Sequence, residues 1–260
     1  MKRKKKPFQV KSIVIGEGLP KVCMPLVGKT PEELLAGVQE VKALCPDVIE
    51  WRADYFQQVM DEDALLAMAK QLRTELPEMP LLFTLRDVSE GGFTKIPQDV
   101  RANLIRQVIA SGNIDLVDIE LEAVKNGLDS LVSFAKERGV GVILSNHFFT
   151  RTPSQEELVD ILREEQNHGA DIAKLAVMPN SPEDVLNLLN ATNQMDTQYA
   201  EIPLITMSMG QLGICSRICG GVFGSALTFG AGKNTSAPGQ IGVQELRRCL
   251  QQVHGEVGLN

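Results

Sequence analysis

The sequence predicts a (β/α)8 barrel, a TIM-barrel fold in which eight parallel strands alternate with helices. Short β-branched or apolar runs recur along the chain, and a stretch with helical spacing of apolar residues follows each of them. The runs begin about 30 residues apart, and a chain of 260 residues suits one barrel of about 250 residues. No linker or repeat marks a further unit, so we expect residues 1–260 to form a single domain.

Eight apolar runs predict the barrel strands. In chain order they cover residues 22–27, 48–52, 81–86, 116–121, 141–145, 172–177, 204–207 and 222–228. Helices are predicted between them, for example over residues 31–44, 63–75 and 98–111.

Helix-start signals agree with these boundaries. Thr30 precedes Pro31 and Glu33, which predicts an N-cap, a proline at the first helical position and a capping box. Ser154 and Ser181 mark two further helix starts, each in a proline-containing segment. Residues 8–15 alternate weakly before the first barrel strand, so we expect a short β-hairpin that closes the bottom of the barrel.

Composition excludes several classes of protein. The net charge of −7 argues against binding of nucleic acid, because phosphate recognition needs clustered Lys and Arg. The basic residues near the N-terminus belong to residues 1–7, which we expect to form a disordered tail. No run approaches the roughly 18 apolar residues of a membrane helix, and no signal-peptide core is present. A cytoplasmic protein with no membrane partner is therefore expected.

The five cysteines are scattered, odd in number and mostly among apolar neighbours, which predicts reduced core thiols. Their spacing does not supply the ligands of a zinc site. Nor does any cluster of histidines or carboxylates have metal-ligand spacing, so we expect no metal. The glycine-rich segment near Gly232 is not a phosphate loop, because Leu227 and Asn234 occupy two positions that the motif specifies.

Active sites of such barrels are built at the C-terminal ends of the strands. This rule nominates polar or sulfur-containing residues after several predicted strands, namely Glu50, Arg52, Arg86, Glu90, Glu120, Glu122, His147, Lys174, Met207, Met209, Arg217, Ser236 and Gln240.

Lys174 lies in an otherwise apolar strand, where an unpaired charge is costly to bury. One interpretation is a lysine with a depressed pKa, whose neutral amine attacks a carbonyl and forms an imine. The alternative is a lysine that reaches solvent or pairs with a carboxylate.

His147 follows the fifth strand and could act as a general base on a substrate held by Lys174. A hydrogen-bonded core histidine is the other interpretation. Glu90 precedes two glycines that permit close backbone approach, and its carboxylate could orient His147.

Three arginines at strand ends, Arg52, Arg86 and Arg217, predict a cationic pocket and an anionic substrate. Arg217 is best placed to bind a carboxylate. Glu50 points to the same side of its strand as Arg52, so it could accept from substrate hydroxyls or neutralise an arginine. Surface salt bridges are the alternative role for the arginines.

Segments from nearly the whole chain together resemble one enzyme family, with about one matching segment per strand. They are Val48-Ile-Glu-Trp-Arg52, Phe83-Thr-Leu-Arg86 with Glu90-Gly-Gly92, Leu116-Val-Asp-Ile-Glu-Leu121, Ile143-Leu-Ser-Asn-His147, Ile172-Ala-Lys-Leu-Ala-Val-Met-Pro179, Thr206-Met-Ser-Met-Gly210, Ser216-Arg217, Phe223-Gly-Ser-Ala-Leu-Thr-Phe229 and Ser236-Ala-Pro-Gly-Gln240. In these segments the chain resembles the type I 3-dehydroquinate dehydratases.

The resemblance implies a lyase that dehydrates 3-dehydroquinate to 3-dehydroshikimate, the third step of the shikimate pathway to aromatic amino acids. It further implies a lysine Schiff base and no cofactor or metal. The protein would be a homodimer, and its binding partner would be the small-molecule substrate. The roles it assigns are catalytic for Lys174, which forms the imine, for His147, which moves the protons, and for Glu90, which orients His147.

The remaining roles implied by the resemblance concern substrate binding. Arg217 would bind the carboxylate, and Met209 with Phe229 would form an apolar wall. The ring hydroxyls and the loop after the eighth strand would be held by Glu50, Arg52, Arg86, Ser236 and Gln240.

The chain departs from the family pattern at Phe148, where the family typically has Asp, so a polar neighbour of His147 is expected to be missing. Cys215 and Pro25 are two smaller departures, and we expect Cys215 to be a core residue. Two other functions stay open: a class I aldolase or transaldolase, which also uses a barrel lysine, and a non-catalytic binding barrel.

Overall fold

A computed structural model describes residues 5–122, 127–232 and 237–255. Ten strands are present in the described part: β1 (Phe8–Val10), β2 (Ile13–Ile15), β3 (Lys21–Leu26), β4 (Val48–Arg52), β5 (Leu81–Thr84), β6 (Leu116–Glu120), β7 (Gly141–Phe148), β8 (Ile172–Val177), β9 (Leu204–Ser208) and β10 (Leu227–Phe229). The α-helices are α1 (Pro31–Leu44), α2 (Glu62–Glu75), α3 (Gln98–Ala110), α4 (Leu128–Glu137), α5 (Gln155–Asn167), α6 (Pro182–Gln194), α7 (Ile214–Phe223) and α8 (Val243–His254).

The last eight strands form one parallel sheet in the order β10-β3-β4-β5-β6-β7-β8-β9. A parallel bridge between Leu204 and Ser225 brings its two ends together, and the Ala226 N–H donates to the Leu204 carbonyl at 2.7 Å. Helices follow the strands in alternation, so the predicted (β/α)8 barrel is confirmed.

The eighth strand is shorter than predicted. Residues 222–228 were expected to form it, but Val222 and Phe223 end helix α7, and the strand begins only at Leu227. Gly224 ends the helix with a φ of 116°, a left-handed conformation that glycine adopts without strain. The apolar run therefore spans a helix end, a turn and a strand, which hydrophobicity alone does not separate.

The predicted N-terminal hairpin is confirmed and closes the barrel bottom. Strands β1 and β2 pair antiparallel, with Phe8 opposite Ile15. Val10 and Ile15 are buried in a cluster with the first inward-facing residues of the barrel strands, including Val48, Leu82 and Leu116. The hairpin thereby excludes water from the lower half of the barrel interior.

The tail prediction is wrong for Lys5 and Lys6. The Lys6 backbone N–H donates to the Glu201 carbonyl at 2.8 Å, and the Lys5 amine contacts the Asp196 carboxylate. Both lysines thus lie against the barrel. Residues 1–4 of the predicted tail lie outside the described residues.

The predicted helix starts are confirmed at their caps. The Glu33 N–H donates to Thr30 Oγ1 at 3.3 Å, and Ser154 and Ser181 cap α5 and α6 in the same way. The second half of the Thr30 capping box is wrong, because Glu33 accepts from the Lys29 N–H at 2.7 Å and not from Thr30. Its carboxylate reaches one residue further back along the chain.

The prediction of core thiols is wrong for Cys45 and Cys215. Cys23 alone is fully buried, whereas Cys45 and Cys215 are exposed, and all five are free. Cys215 is exposed near the start of α7, and Cys45 ends α1 with a left-handed φ of 47°. Apolar sequence neighbours did not reveal which side of a helix each thiol occupies.

None of the helices described has the length and hydropathy needed to cross a membrane.

We predict that Ile15→Ala lowers the free energy of unfolding by about 3 kcal/mol, because it leaves a cavity beneath the barrel interior. Urea denaturation would measure this loss. The control is Leu186→Ala, since Leu186 is 58% exposed on α6 and should change stability by less than about 0.5 kcal/mol. Equal losses for the two variants would contradict the role of the hairpin as a buried plug.

Candidate active site

The upper half of the barrel contains a cavity that is partly open to solvent, and small-molecule sites are typically such concavities with a few polar groups. Its lining residues come from the C-terminal ends of several strands and from the loop after β10. They are Glu50, Arg52, Arg86, Glu90, His147, Phe149, Lys174, Ala176, Met207, Met209, Phe229, Ala237 and Gln240.

Lys174 points into this cavity from the middle of β8. Its neighbours Ala173 and Leu175 point outward into an apolar cluster that includes residues of α5 and α6, as the two-residue period of a strand requires. The Lys174 side chain is 4% exposed, and its Nζ lies 2.6 Å from Asp118 Oδ2 and 3.6 Å from Glu50 Oε1. The Phe229 ring centroid is 4.8 Å from the same Nζ. The amine is therefore buried and paired with a carboxylate.

Asp118 is fully buried and links Lys174 to Arg86. Its Oδ1 accepts from Arg86 Nη2 at 3.0 Å and from Ser145 Oγ at 2.6 Å. Burial by itself would raise the pKa of Asp118, but Arg86 and Lys174 lower that pKa well below its usual range. Asp118 is therefore ionised. Arg86 also donates to Glu120 Oε1 at 2.8 Å.

His147 and Glu90 form a second pair at the cavity wall, with 2.9 Å between His147 Nδ1 and Glu90 Oε2. Burial raises the pKa of Glu90 to about 8, although Arg86 opposes the shift. Burial, with Arg86 and Lys174, lowers the pKa of His147 well below its ordinary value. Both shifts favour the neutral forms, so His147 is available to accept a proton.

The two glycines after Glu90 are required by close packing. Gly91 has a φ of 83°, and a Cβ there would lie 2.2 Å from the Phe149 ring. A Cβ on Gly92 would lie 2.0 Å from the Arg86 carbonyl oxygen. Larger residues would therefore displace the turn that carries Glu90.

The prediction of a cationic pocket is wrong for two of its three arginines. Arg52 forms two hydrogen bonds of 2.9 Å with the buried Asp54 carboxylate, and Arg86 pairs with Asp118 and Glu120. The positions of the arginines in the sequence did not indicate which acidic residues would pair with them. They neutralise the arginines within the protein.

Arg217 is the exception. It is 1% exposed, its Nη2 donates to the Pro238 carbonyl at 3.0 Å and its Nη1 lies 3.6 Å from Met207 Sδ. No acidic side chain pairs with it among the residues described. Burial lowers the pKa of Arg217 to about 10, as expected for a cation that lacks a buried counter-charge. Its charge is thus available to an anion.

Most predicted site residues meet around one cavity. Nine of them line it directly: Glu50, Arg52, Arg86, Glu90, His147, Lys174, Met209, Phe229 and Gln240. Arg217 lies behind Met207, and Ser236 lies outside the described residues.

Phe148 occupies a position where the family typically has Asp, and its side chain lies on the outer side of the barrel sheet. The Phe148 side chain packs against the outer apolar cluster that includes Leu158 and Val159 of α5, and Arg151 lies over its ring at 5.1 Å. It points away from the cavity, because neighbouring strand residues face opposite sides. The residue at this position therefore does not contact the His147 imidazole.

Sequence reasoning missed Asp118, which has the shortest contact with Lys174. A signal was present in the sequence, because Asp118 lies two residues before the nominated Glu120. Both carboxylates therefore point from the same buried strand into the barrel interior. Phe149 and Ala237 were also missed as lining residues. In the described part of the chain, no three His, Cys, Asp or Glu side chains are grouped so that they could hold a metal ion.

Comparison with known proteins assigns the chain to a family. The family model "Type I 3-dehydroquinase" matches residues 22–257. The chain belongs to the type I 3-dehydroquinase family. The expected resemblance is thereby confirmed, and so is the prediction of an enzyme of the hydro-lyase class that acts on a small molecule.

Curated relatives of this type I 3-dehydroquinase extend over almost its whole length. The 3-dehydroquinate dehydratase of Clostridioides difficile (strain 630) is 46% identical over 257 residues, which are 99% of this chain and 100% of the relative. That of Bacillus subtilis (strain 168) is 46% identical over 245 residues, which are 94% and 96% of the two chains.

Solved structures agree with the assignment. The 3-dehydroquinate dehydratase of Geobacillus kaustophilus HTA426 superposes with a TM-score of 0.94 at 41% identity, covering 99% of this chain and 100% of that one. The C. difficile enzyme superposes with a TM-score of 0.93 at 45% identity, covering 97% and 99%. A 3-hexulose-6-phosphate synthase at 14% identity and a TM-score of 0.58 shares the fold alone.

We predict that Glu90→Gln becomes more stable relative to the wild type as the pH rises from about 5 to 8. The folded protein keeps the Glu90 proton until its pKa of about 8, whereas the unfolded chain releases it near 4.5. Stability from this group is therefore complete below 4.5 and is lost as the pH rises through 8. Urea denaturation at about pH 5, 7 and 9 would measure the change.

The control for this experiment is Glu164→Gln, because Glu164 is exposed on α5. Its stability difference from the wild type should stay nearly constant over the same pH values. A constant difference for Glu90→Gln as well would contradict the raised pKa.

Proposed function

We propose that this type I 3-dehydroquinase converts 3-dehydroquinate to 3-dehydroshikimate through an imine on Lys174, as the third step of the shikimate pathway. The observation that supports the proposal best is the buried Lys174 amine, which faces the same cavity as His147. A primary amine held in a mostly water-free cavity can form an imine with a ketone, and a protonated imine acidifies the adjacent C–H bond.

The first step needs a neutral amine, but Asp118, 2.6 Å from Lys174 Nζ, stays ionised and does not take the proton. The Lys174 ammonium passes its proton to the neutral His147, which lines the same cavity, and the amine attacks the C3 ketone to give a carbinolamine. His147 returns this proton to the leaving hydroxyl, so water leaves and the protonated imine forms. Arg86 keeps Asp118 ionised throughout, because its guanidinium is 3.0 Å away.

His147 performs the elimination. The Nδ1–H of the neutral ring donates to Glu90 Oε2 at 2.9 Å, which leaves Nε2 as the base. It removes the C2 proton, the electrons move into the imine, and the resulting enamine expels the C1 hydroxyl. His147 then returns the proton to that hydroxyl, so water leaves. Hydrolysis of the imine releases the product and restores Lys174.

The other side chains bind and orient the substrate in this proposal. Arg217 binds the carboxylate, because its guanidinium is buried without an acidic partner among the described residues. Met209 and Phe229 form the apolar wall beside the imine. The ring hydroxyls are assigned to Glu50, Arg52, Arg86, Gln240 and Ser236, of which Ser236 lies outside the described residues.

A related structure supports covalent chemistry in such an enzyme. The crystal structure of the C. difficile relative contains comenic acid in covalently modified form. Comenic acid has a ring ketone and a carboxylate, the two groups that the proposal assigns to Lys174 and Arg217. No observation on the cavity favours the aldolase alternative, and the family assignment speaks against a non-catalytic barrel.

Borohydride reduction in the presence of 3-dehydroquinate tests the proposal. A reduced adduct mapped to Lys174 by peptide mass spectrometry is expected, because borohydride reduces an imine to a stable amine. Lys174→Ala should give no adduct, and an imine in that variant would refute the assignment. His147→Ala should still be trapped but lose at least about 100-fold in turnover, the usual contribution of a general base. Near wild-type turnover would exclude His147 as the base.

Asp118→Asn tests the ion pair with Lys174. An amide lacks the negative charge that holds the Lys174 amine and Arg86, so we expect imine trapping and turnover to slow by about 100-fold near neutral pH. The matched control is Asp160→Asn, whose side chain is 74% exposed and should leave both rates unchanged. Normal trapping by Asp118→Asn would show that this ion pair is not needed to place the amine.

A further inference from the structure

Glu165 is a fully buried acid that the mechanism above does not use. It lies on the same face of α5 as Leu158 and Leu162, in the layer between this helix and β8 where Ala173 and Leu175 pack. Burying a carboxyl group among apolar side chains is costly unless the group is hydrogen-bonded. The position therefore calls for an explanation other than packing.

The carboxyl group of Glu165 contacts the backbone of the imine-forming residue. Its Oε2 accepts from the Lys174 backbone N–H at 2.9 Å. The backbone carbonyl of Glu165 accepts from the Ala170 N–H at 3.2 Å. Oε1 has no hydrogen-bond partner among the described residues. Glu165 thus joins α5 both to the start of the α5–β8 segment and to the centre of β8.

Lys174 is consequently held from both sides of the sheet. Inside the barrel, Asp118 binds its Nζ at 2.6 Å. Outside the barrel, Glu165 binds its backbone N–H. The two contacts together fix the position of the Lys174 Cα and the direction of the side chain, which long flexible lysine side chains do not fix by themselves.

We propose that Glu165 is a positioning residue, which holds the backbone of β8 at Lys174 so that the amine reaches the substrate ketone in the geometry of attack. This inference rests on the proposed function. A displacement of about 1 Å at a reacting atom can reduce a rate about 100-fold, so a contact at the backbone is sufficient to matter.

Burial raises the pKa of Glu165 well above its usual value, which favours the uncharged carboxyl group. An uncharged group binds the N–H without competing with Asp118 for the Lys174 ammonium. Glutamine at this position would offer the same carbonyl oxygen to the N–H, whereas leucine and methionine would fill the space without an acceptor.

The experiment compares Glu165→Gln, Glu165→Leu and Glu165→Met in the full-length enzyme. Turnover, KM and the rate of borohydride trapping with 3-dehydroquinate are measured, with the melting temperature of each variant. We expect Glu165→Gln to keep turnover within about twofold. Glu165→Leu and Glu165→Met should lose about 10-fold in turnover and in trapping rate, which corresponds to about 1.4 kcal/mol in the barrier. Their KM should change little, and their melting temperatures should fall, because the buried Lys174 N–H loses its acceptor.

A merely structural role predicts lower melting temperatures with unchanged turnover and trapping in the folded variants. Leu162→Ala is the matched control, because Leu162 lies on the same face of α5, is fully buried and has no polar group. It should lower the melting temperature by creating a cavity and leave the turnover of the folded enzyme near the wild-type value.

Two results would overturn the proposal: wild-type turnover and trapping in both apolar variants, or an equal loss of turnover in Leu162→Ala. If one apolar variant does not fold, the other decides, because methionine adapts to irregular space better than leucine. If neither folds while Glu165→Gln is wild-type in rate, the role is structural and the proposal fails. Absence of a Lys174 adduct in the wild type would instead reject the proposed function itself.

Discussion

The contact of 2.6 Å between Lys174 and Asp118 is the interaction on which the interior of this barrel depends. An ammonium group buried in the centre of a barrel needs a carboxylate, and that carboxylate in turn needs the guanidinium of Arg86. Arg86 is balanced by Glu120, which Arg101 approaches from α3 at 3.8 Å. The charges therefore form one connected network, and removal of one member leaves another buried charge unpaired.

The barrel makes this network possible by dividing its interior into two layers. The lower layer is apolar and closed by the N-terminal hairpin, with Val10 and Ile15 against the strands. The upper layer holds the charged groups, whose interactions are strong because little water reaches them. Alternation along each strand assigns neighbouring residues to opposite sides, so Lys174 faces the cavity while Ala173 and Leu175 complete the outer core.

The buried ionisable groups of the site lower the stability of the folded protein. Glu90 and Glu165 are both buried acids whose pKa is raised by desolvation, and Arg217 is a buried cation without an acidic partner among the described residues. Burial of each of these groups costs free energy of desolvation. Their presence is consistent with an enzyme that keeps a neutral histidine, an available guanidinium and a fixed lysine ready for its substrate.

The sequence by itself determined the barrel, the hairpin and most of the cavity lining, because strand periodicity and the strand-end rule depend only on the order of residues. The resemblance added the roles of Lys174, His147 and Glu90. The tertiary structure decided which charges are paired: Asp54 neutralises Arg52, Asp118 joins Arg86 to Lys174, and Arg217 stays available. It also decided that Phe148 faces outward and that Glu165 reaches the Lys174 backbone. These contacts join residues that are distant in the chain or on different elements, and hydrophobic patterns contain no information on them.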